Sequence, residues 1–248
     1  MTTVMTVIHD DVAILTLNNG TTNSISFDMV RDLSRTFDRI KNEAKGIVLC
    51  GGEKFFSMGL DLPSLLKYGR SEMSDFWYQF DGLLFDLYTA ALPTVCVLSG
   101  HAVAGGNVLA LTCDYRFAGN GTKKIGLNEI KLGLPVPYLA DMMLRHLVSE
   151  RSATQMIYSG DFMSFSEAKE IGLIDGIYSA DTVVRKATEK VAELSDFQAY
   201  AFSAVKSSRT EETRIRYEKN FKSRNEIFLD CWFSPATQEI LNDAARKF

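Results

Sequence analysis

Apolar residues along this chain fall into short, separate rhythms, and each rhythm predicts an element. Val12-Ala13-Ile14-Leu15-Thr16-Leu17 reads as a strand, closed by the turn residues Asn18-Asn19-Gly20. Ser26 then precedes Phe27, Met29, Val30, Leu33, Phe37 and Ile40, which are spaced as one face of a helix that Ser26 is placed to cap. Gly46-Ile47-Val48-Leu49-Cys50-Gly51-Gly52 is a continuous apolar run between glycines, the pattern of a strand buried on both faces. Phe55 to Leu62 reads as a loop that turns at Gly59. Residues 72–90 carry Phe76, Trp77, Phe80, Leu83, Leu84 and Leu87 at helical spacing, and Pro93 stops that helix. Thr94 to Leu98 predicts another buried strand, Gly100 to Gly106 a turn, Asn107 to Thr112 a helix, and Tyr115 to Ala118 a strand. Strand, turn and helix therefore recur through the first 130 residues, which implies an α/β domain with crossover connections.

After Pro137 the rhythm changes. Leu139–Val148, Ser152–Tyr158, Ser166–Ile171 and Thr182–Leu194 all have helical spacing, as do the charged stretch Arg209–Arg224 and the final segment Pro235–Ala245. The last third is expected to be all-helical, with no flexible linker before it. It is expected to pack back on the α/β core or on a neighbouring subunit. The boundary is placed so that 1–195 form the core and 196–248 the C-terminal helical region.

Composition narrows the function classes. With 248 residues, 46% of them hydrophobic, the chain is long enough to bury a full core. A formal charge of -4 argues against a chain-wide affinity for nucleic acid, while leaving room for a local pocket that takes an anionic small ligand. The cysteines Cys50, Cys96, Cys113 and Cys231 form no CxxC pair, and three sit in apolar runs, where a cysteine acts as a small buried hydrophobe. His9, His101 and His146 are isolated, so no metal motif is present. No apolar run reaches the roughly 18 residues of a membrane span. MTTVMTVIHDD lacks the basic flank and apolar core of a signal peptide, and the terminal ARKF is not an SKL-type address. A cytoplasmic setting with free thiols is the expectation.

Three segments carry candidate chemistry. In Phe55-Phe56-Ser57-Met58-Gly59-Leu60-Asp61-Leu62, a glycine between apolar side chains allows a sharp turn with exposed amides. In Gly100-His101-Ala102-Val103-Ala104-Gly105-Gly106-Asn107, a glycine pair opens a helix and lets a ligand approach the backbone. Two such amides converging on one thioester oxygen would form an oxyanion hole; taken alone, each turn is more often plain structural glycine. The third segment is Ile125-Gly126-Leu127-Asn128-Glu129-Ile130-Lys131, with one carboxylate in apolar company. Burial would raise the Glu129 pKa towards that of a useful base; the alternative is a surface pair with Lys131 or with a neighbouring subunit.

Taken in order, these segments resemble the crotonase (enoyl-CoA hydratase/isomerase) superfamily, and within it the Δ3,Δ2-enoyl-CoA isomerase branch. Phe56-Ser57-Met58-Gly59-Leu60-Asp61-Leu62 is similar to FSAGLDL. Ala104-Gly105-Gly106 with Ala110-Leu111-Thr112-Cys113-Asp114-Tyr115-Arg116 is similar to AGG…ALTCDYR, and Ile125-Gly126-Leu127-Asn128-Glu129 to IGLNE. The tail, with Phe228, Trp232, Phe233, Ser234 and Gln238, follows the same pattern. The resemblance implies a spiral of ββα units with a C-terminal helical trimerisation region, assembled as trimers or dimers of trimers. It implies an isomerase of fatty acid metabolism that moves the double bond of a 3-enoyl-CoA, with Glu129 catalytic and the amides of Leu60 and Gly105 as the oxyanion hole. Asn23, Ile25, Ser57, Gly59, Asp61, Leu62, Gly106 and Pro137 fall at substrate-binding positions. No cofactor is implied, since coenzyme A is part of the substrate.

One position separates relatives. Hydratases of this family carry a second glutamate two residues after the glycine pair, where this chain has Val108, so isomerase is favoured over hydratase. A hydratase using one carboxylate, a thioester or carbon–carbon hydrolase, and a non-catalytic interaction protein are the rival readings. Asp141 is the nearest candidate for the further acid of dienoyl-CoA isomerases, in a context unlike theirs. Met58 replaces the usual alanine, and Ala104 replaces the hydratases' glycine. The early loop Gly20–Ile25 lacks the usual basic residue, which leaves Lys219 or Lys222 as candidates for the CoA phosphates. Phe76, Trp77 and Phe80 are candidates to bound an acyl pocket, with ordinary helix packing the alternative.

Overall fold

One unit, strand–strand–helix, repeats down the chain, and from Gly46 to Gly126 its strands fall alternately into two sheets. The computed structural model describes residues 2–246, so Met1 and the final Lys247-Phe248 of the ARKF terminus lie outside it. The hairpin β1 (Val4–His9) and β2 (Val12–Leu17) leads into α1 (Phe27–Ile40). The next unit is β3 (Gly46–Cys50), β4 (Phe55–Ser57), the short α2 (Leu62–Leu65) and α3 (Arg70–Tyr88). Then come β5 (Thr94–Leu98), β6 (His101–Val103) and α4 (Gly105–Leu111). β7 (Tyr115–Gly119) and β8 (Lys124–Gly126) lead to a 3-10 turn, Glu129–Leu132, and to α5 (Tyr138–Leu147) and α6 (Glu150–Ser159). β9 (Met163–Ser164), α7 (Phe165–Glu170), β10 (Gly176–Tyr178) and α8 (Val183–Ser195) precede the long α9 (Ala199–Trp232) and the last helix, α10 (Pro235–Ala245).

The larger sheet has six strands in the order β1-β2-β3-β5-β7-β10 and the smaller four in the order β4-β6-β8-β9. The pairs β3-β4, β5-β6 and β7-β8 each give their first strand to the larger sheet and their second to the smaller, while both strands of the β1-β2 hairpin stay in the larger. From β2 to β10 every pairing in the larger sheet is parallel, as crossover connections require. β3 shows why its run is unbroken. Ile47 and Leu49 face the main core, while Val48 and Cys50 face the other way, with Val183, Ala187 and Val191 of α8. Ser26 caps α1 as expected, its hydroxyl accepting from the Met29 N–H at 3.2 Å.

Several expectations need correction. Val4–His9 is a strand that the chain's rhythm did not announce. The Phe55–Leu62 loop begins as β4 and runs into α2, and the Gly100–Gly106 turn contains β6, with α4 starting at Gly105 rather than at Asn107. β9 and β10 interrupt the stretch after Pro137, because strands of two or three residues are too short to show a period. The charged stretch Arg209–Arg224 is helical as expected, but as the middle of the longer α9.

α9 packs on α3 and α5 of its own chain. Lys206 anchors its first part, donating to Asp114 Oδ2 at 2.8 Å and to the Leu92 carbonyl at 3.0 Å. Further along, Tyr217 Oη (2.7 Å) and Asn225 Nδ2 (2.8 Å) both donate to the buried Asp81 of α3. Stacked rings complete the seam: Phe85 on Tyr217, and Trp77 on Phe228. No helix among the described residues is long and apolar enough to cross a membrane.

Candidate active site

The small sheet sets the three candidate segments side by side. β4, β6 and β8 are parallel neighbours, so the turns that follow them emerge at one end of the sheet. The turn after β4 is built by backbone closure. Ile25 N–H donates to the Gly59 carbonyl at 2.8 Å, and Asp61 N–H donates to the Ile25 carbonyl at 3.1 Å. Gly59 sits at φ +92°, a conformation that favours glycine, and a Cβ there would lie 3.0 Å from the Val103 carbonyl oxygen. Ser57 Oγ donates to the Asn23 carbonyl at 2.7 Å and accepts from the Gly59 N–H at 3.2 Å, which fixes the turn from beneath.

The turn after β6 is tighter. Ala104 adopts φ 47°, ψ -120°, a strained conformation for a residue with a Cβ, costing on the order of 1–3 kcal/mol. Its N–H donates to the Gly126 carbonyl at 3.0 Å, and α4 begins at the next residue. Gly106 must lack a side chain, since a Cβ there would fall 2.2 Å from the Ser57 carbonyl oxygen. The two turns touch: a Cβ on Gly105 would lie 3.6 Å from the Leu60 nitrogen. Among the described residues neither the Leu60 N–H nor the Gly105 N–H has an acceptor.

Both amides border a cavity of about 290 Å³. Glu129, the first residue of the 3-10 turn after β8, borders it too. Glu129 is 6% exposed, and its Oε2 is buried without a hydrogen-bond partner. Burial pushes its pKa up to about 7. Lys131 is not its partner, because Lys131 pairs with Asp161 instead. Gly133, at φ +74°, ends the turn, and Thr237 of α10 donates its hydroxyl to the Gly133 carbonyl at 3.1 Å. The last helix thus clamps the segment that carries the carboxylate.

The cavity wall is otherwise apolar. Met58, Leu62, Trp77, Phe80 and Pro137 line it, as does the half-buried Asn128. Among the described lining residues Glu129 alone carries an ionisable side chain. Asn23, Ile25, Ser57, Gly59 and Gly106 stand behind the wall as scaffolding, and Asp61 accepts from the Ser64 hydroxyl at 2.7 Å at the start of α2. Phe76 packs between Phe27 and Phe80 away from the cavity, and Val108 is wholly buried in the core. Lys219 and Lys222 are exposed on α9, outside the cavity lining, and Asp141 pairs with Arg145. Val103, Leu132, Leu134 and Ala244 also reach the cavity; single apolar residues in sheet, turn and tail carry no sequence signal for that. No cluster of ligating side chains suited to a metal ion occurs among the described residues.

Known proteins share this fold. The profile of the enoyl-CoA hydratase/isomerase family matches residues 8–240. The mouse protein "Enoyl-CoA delta isomerase 1, mitochondrial" is 34% identical over 182 residues, covering 71% of this chain and 62% of that protein. The chain thus matches less than two thirds of the mouse relative's length. The crystal structure of human mitochondrial delta3-delta2-enoyl-CoA isomerase superposes with a TM-score of 0.94 at 24% identity, over 99% of this chain and 97% of that one. An enoyl-CoA hydratase from Bacillus halodurans superposes at 0.89 with 19% identity, over 97% and 99%, so the fold alone does not separate the two activities. With a matched profile that spans nearly its whole length, the chain belongs to the enoyl-CoA hydratase/isomerase family.

Proposed function

We propose that this protein is a Δ3,Δ2-enoyl-CoA isomerase, in which Glu129 alone carries a proton from C2 to C4 of a 3-enoyl-CoA. The observation that carries the reading is a buried carboxylate, its Oε2 without a partner, as the sole ionisable group among the described residues that line an apolar cavity, which two free amides also border. The thioester oxygen accepts from the Leu60 and Gly105 N–H groups, which acidifies C2. Glu129 takes the C2 proton, and the electron pair moves onto the oxygen as a dienolate. The same carboxyl then protonates C4, leaving a trans-2-enoyl-CoA. Atoms and electrons balance within the substrate, so the reaction calls for no redox partner and no water. Each amide is worth on the order of 3 kcal/mol of barrier, and the positioned base about 10²–10⁴-fold in rate.

A hydratase must add water, and family hydratases hold it between two carboxylates. Val108 stands at the position of the second one, buried in the core. The test is an ultraviolet assay of the pure protein. Conversion of 3-hexenoyl-CoA should far outpace hydration of crotonyl-CoA, and the reverse order would overturn the reading. Release of free thiol would point to a hydrolase instead.

Assembly as a trimer or a dimer of trimers belongs to the same proposal. It is supported by the exposed apolar side chains Tyr200, Val205, Ile215 and Ile227 along α9. Light scattering that returns a monomer at micromolar concentration would remove it.

A further inference from the structure

A second cavity, of about 350 Å³, lies directly behind the first. Trp77, Leu134, Pro137 and Phe228 line both, so these four side chains are the wall between them. Most of that wall is one stacked pair, with Trp77 and Phe228 ring centroids 3.4 Å apart and planes 4° from parallel. The two rings come from different elements, α3 and α9, so the wall exists only because α9 docks there. Packing alone holds the indole, since Trp77 Nε1 is buried with no hydrogen-bond partner.

The far cavity suits a hydrocarbon. Val136, Ile157, Tyr158 and Ile227 supply much of its lining, and Tyr158 and Ile227 are exposed at its rim. Its charges are largely occupied. Arg145 is paired with Asp141 at 2.9 Å, and the Arg224 guanidinium lies over the Tyr138 ring at 5.0 Å.

We propose that the Trp77–Phe228 stack is the chain-length stop of this enzyme, ending the chamber that holds the acyl tail and sealing off a second chamber. The proposal rests on the acyl-CoA reading of the site. Each methylene moved from water into an apolar chamber tightens binding about fourfold. That gain continues while the tail has apolar wall to cover and ends where the tail meets the stacked rings.

Calorimetry with saturated acyl-CoAs from hexanoyl to hexadecanoyl tests this without relying on turnover. Affinity for the wild type should climb with length and then level. Trp77→Ala should keep climbing past that length, and adding Ile157→Trp, which fills the far chamber, should bring the plateau back. Ile157→Trp alone should leave the wild-type profile unchanged. Phe228→Leu opens the wall from the other helix with a smaller loss of packing, so it carries the test if Trp77→Ala does not fold by thermal melt. Two outcomes overturn the proposal: a wild-type profile with no plateau, or a plateau at the same length in a folded wall variant. Failure of every acyl-CoA to bind would instead strike at the acyl-CoA reading itself, and the chain-length stop would fall with it.

Discussion

Two carboxylates among the described residues are buried without a cation beside them, and the protein surrounds them in opposite ways. Asp81, 2% exposed, lies where α3 meets α9 and accepts from Tyr217 Oη and Asn225 Nδ2. Burial raises its pKa, and the two hydrogen bonds offset only part of that rise. Glu129, 6% exposed, has an Oε2 with no partner at all, and burial holds its pKa at about 7. Burial alone therefore does not mark a base. What separates the two is whether the protein satisfies the carboxylate or leaves it for something else to meet.

The comparison breaks most visibly in turnover. Glu129→Gln keeps the shape and removes the base, so isomerisation of 3-hexenoyl-CoA should fall about 10²–10⁴-fold with acyl-CoA binding retained. Asp81→Asn should stay close to wild type in the same assay. Equal losses in both variants would erase the distinction drawn between them.

Stability should show the reverse order. Asp81→Ala leaves two buried donors unmet, each costing about 1–3 kcal/mol, so denaturant melts should show a loss of that size or more. Glu129 works against the fold once it ionises. Its folded pKa is raised from 4.5 to about 7, so its favourable share is complete below pH 4.5 and is lost as pH rises through 7. Glu129→Gln should accordingly stabilise the protein by up to about 3 kcal/mol at pH 8 and by almost nothing near pH 4.5. A destabilised glutamine variant at pH 8 would mean that the charge is satisfied.

The smallest effect belongs to the clamp behind Glu129. Thr237→Val removes the hydroxyl that donates to the Gly133 carbonyl, at a cost of about 1 kcal/mol in melts. The loosened turn should lower kcat while leaving KM nearly unchanged. A fall in KM affinity without a fall in kcat would place Thr237 in binding rather than in positioning.

How much of this could be read from the chain depends on how locally each feature is written. Ser26 and the apolar face of α1, the run of β3, and the turns at Gly59 and at Gly105-Gly106 are local, and they appear where the sequence puts them. β4, β6 and β8 are three residues each, too short to carry a period, although they are what aligns the site. The strain at Ala104 is invisible in the sequence, because an alanine carries no signal for a positive φ. Phe228 and Ala244 reach the cavity through the docking of α9 and α10, which is a long-range event. Trp77 and Phe80 line the cavity while Phe76, on the same helix, does not, because helical spacing gives a face and not its neighbour. The sequence leaves Glu129 open between base and surface pair, and only the fold, by placing Lys131 on Asp161, removes that lysine as its partner.

The central claim, that the buried Glu129, with its Oε2 unpartnered, is the base, is tested most directly by the pH dependence of kcat/KM for a 3-enoyl-CoA. The rate should rise about tenfold per pH unit at low pH and level off above an inflection near 7, in the wild type and in Asp81→Asn alike. A profile flat from pH 5 to pH 8, or one that inflects at the ordinary glutamate value, would contradict it.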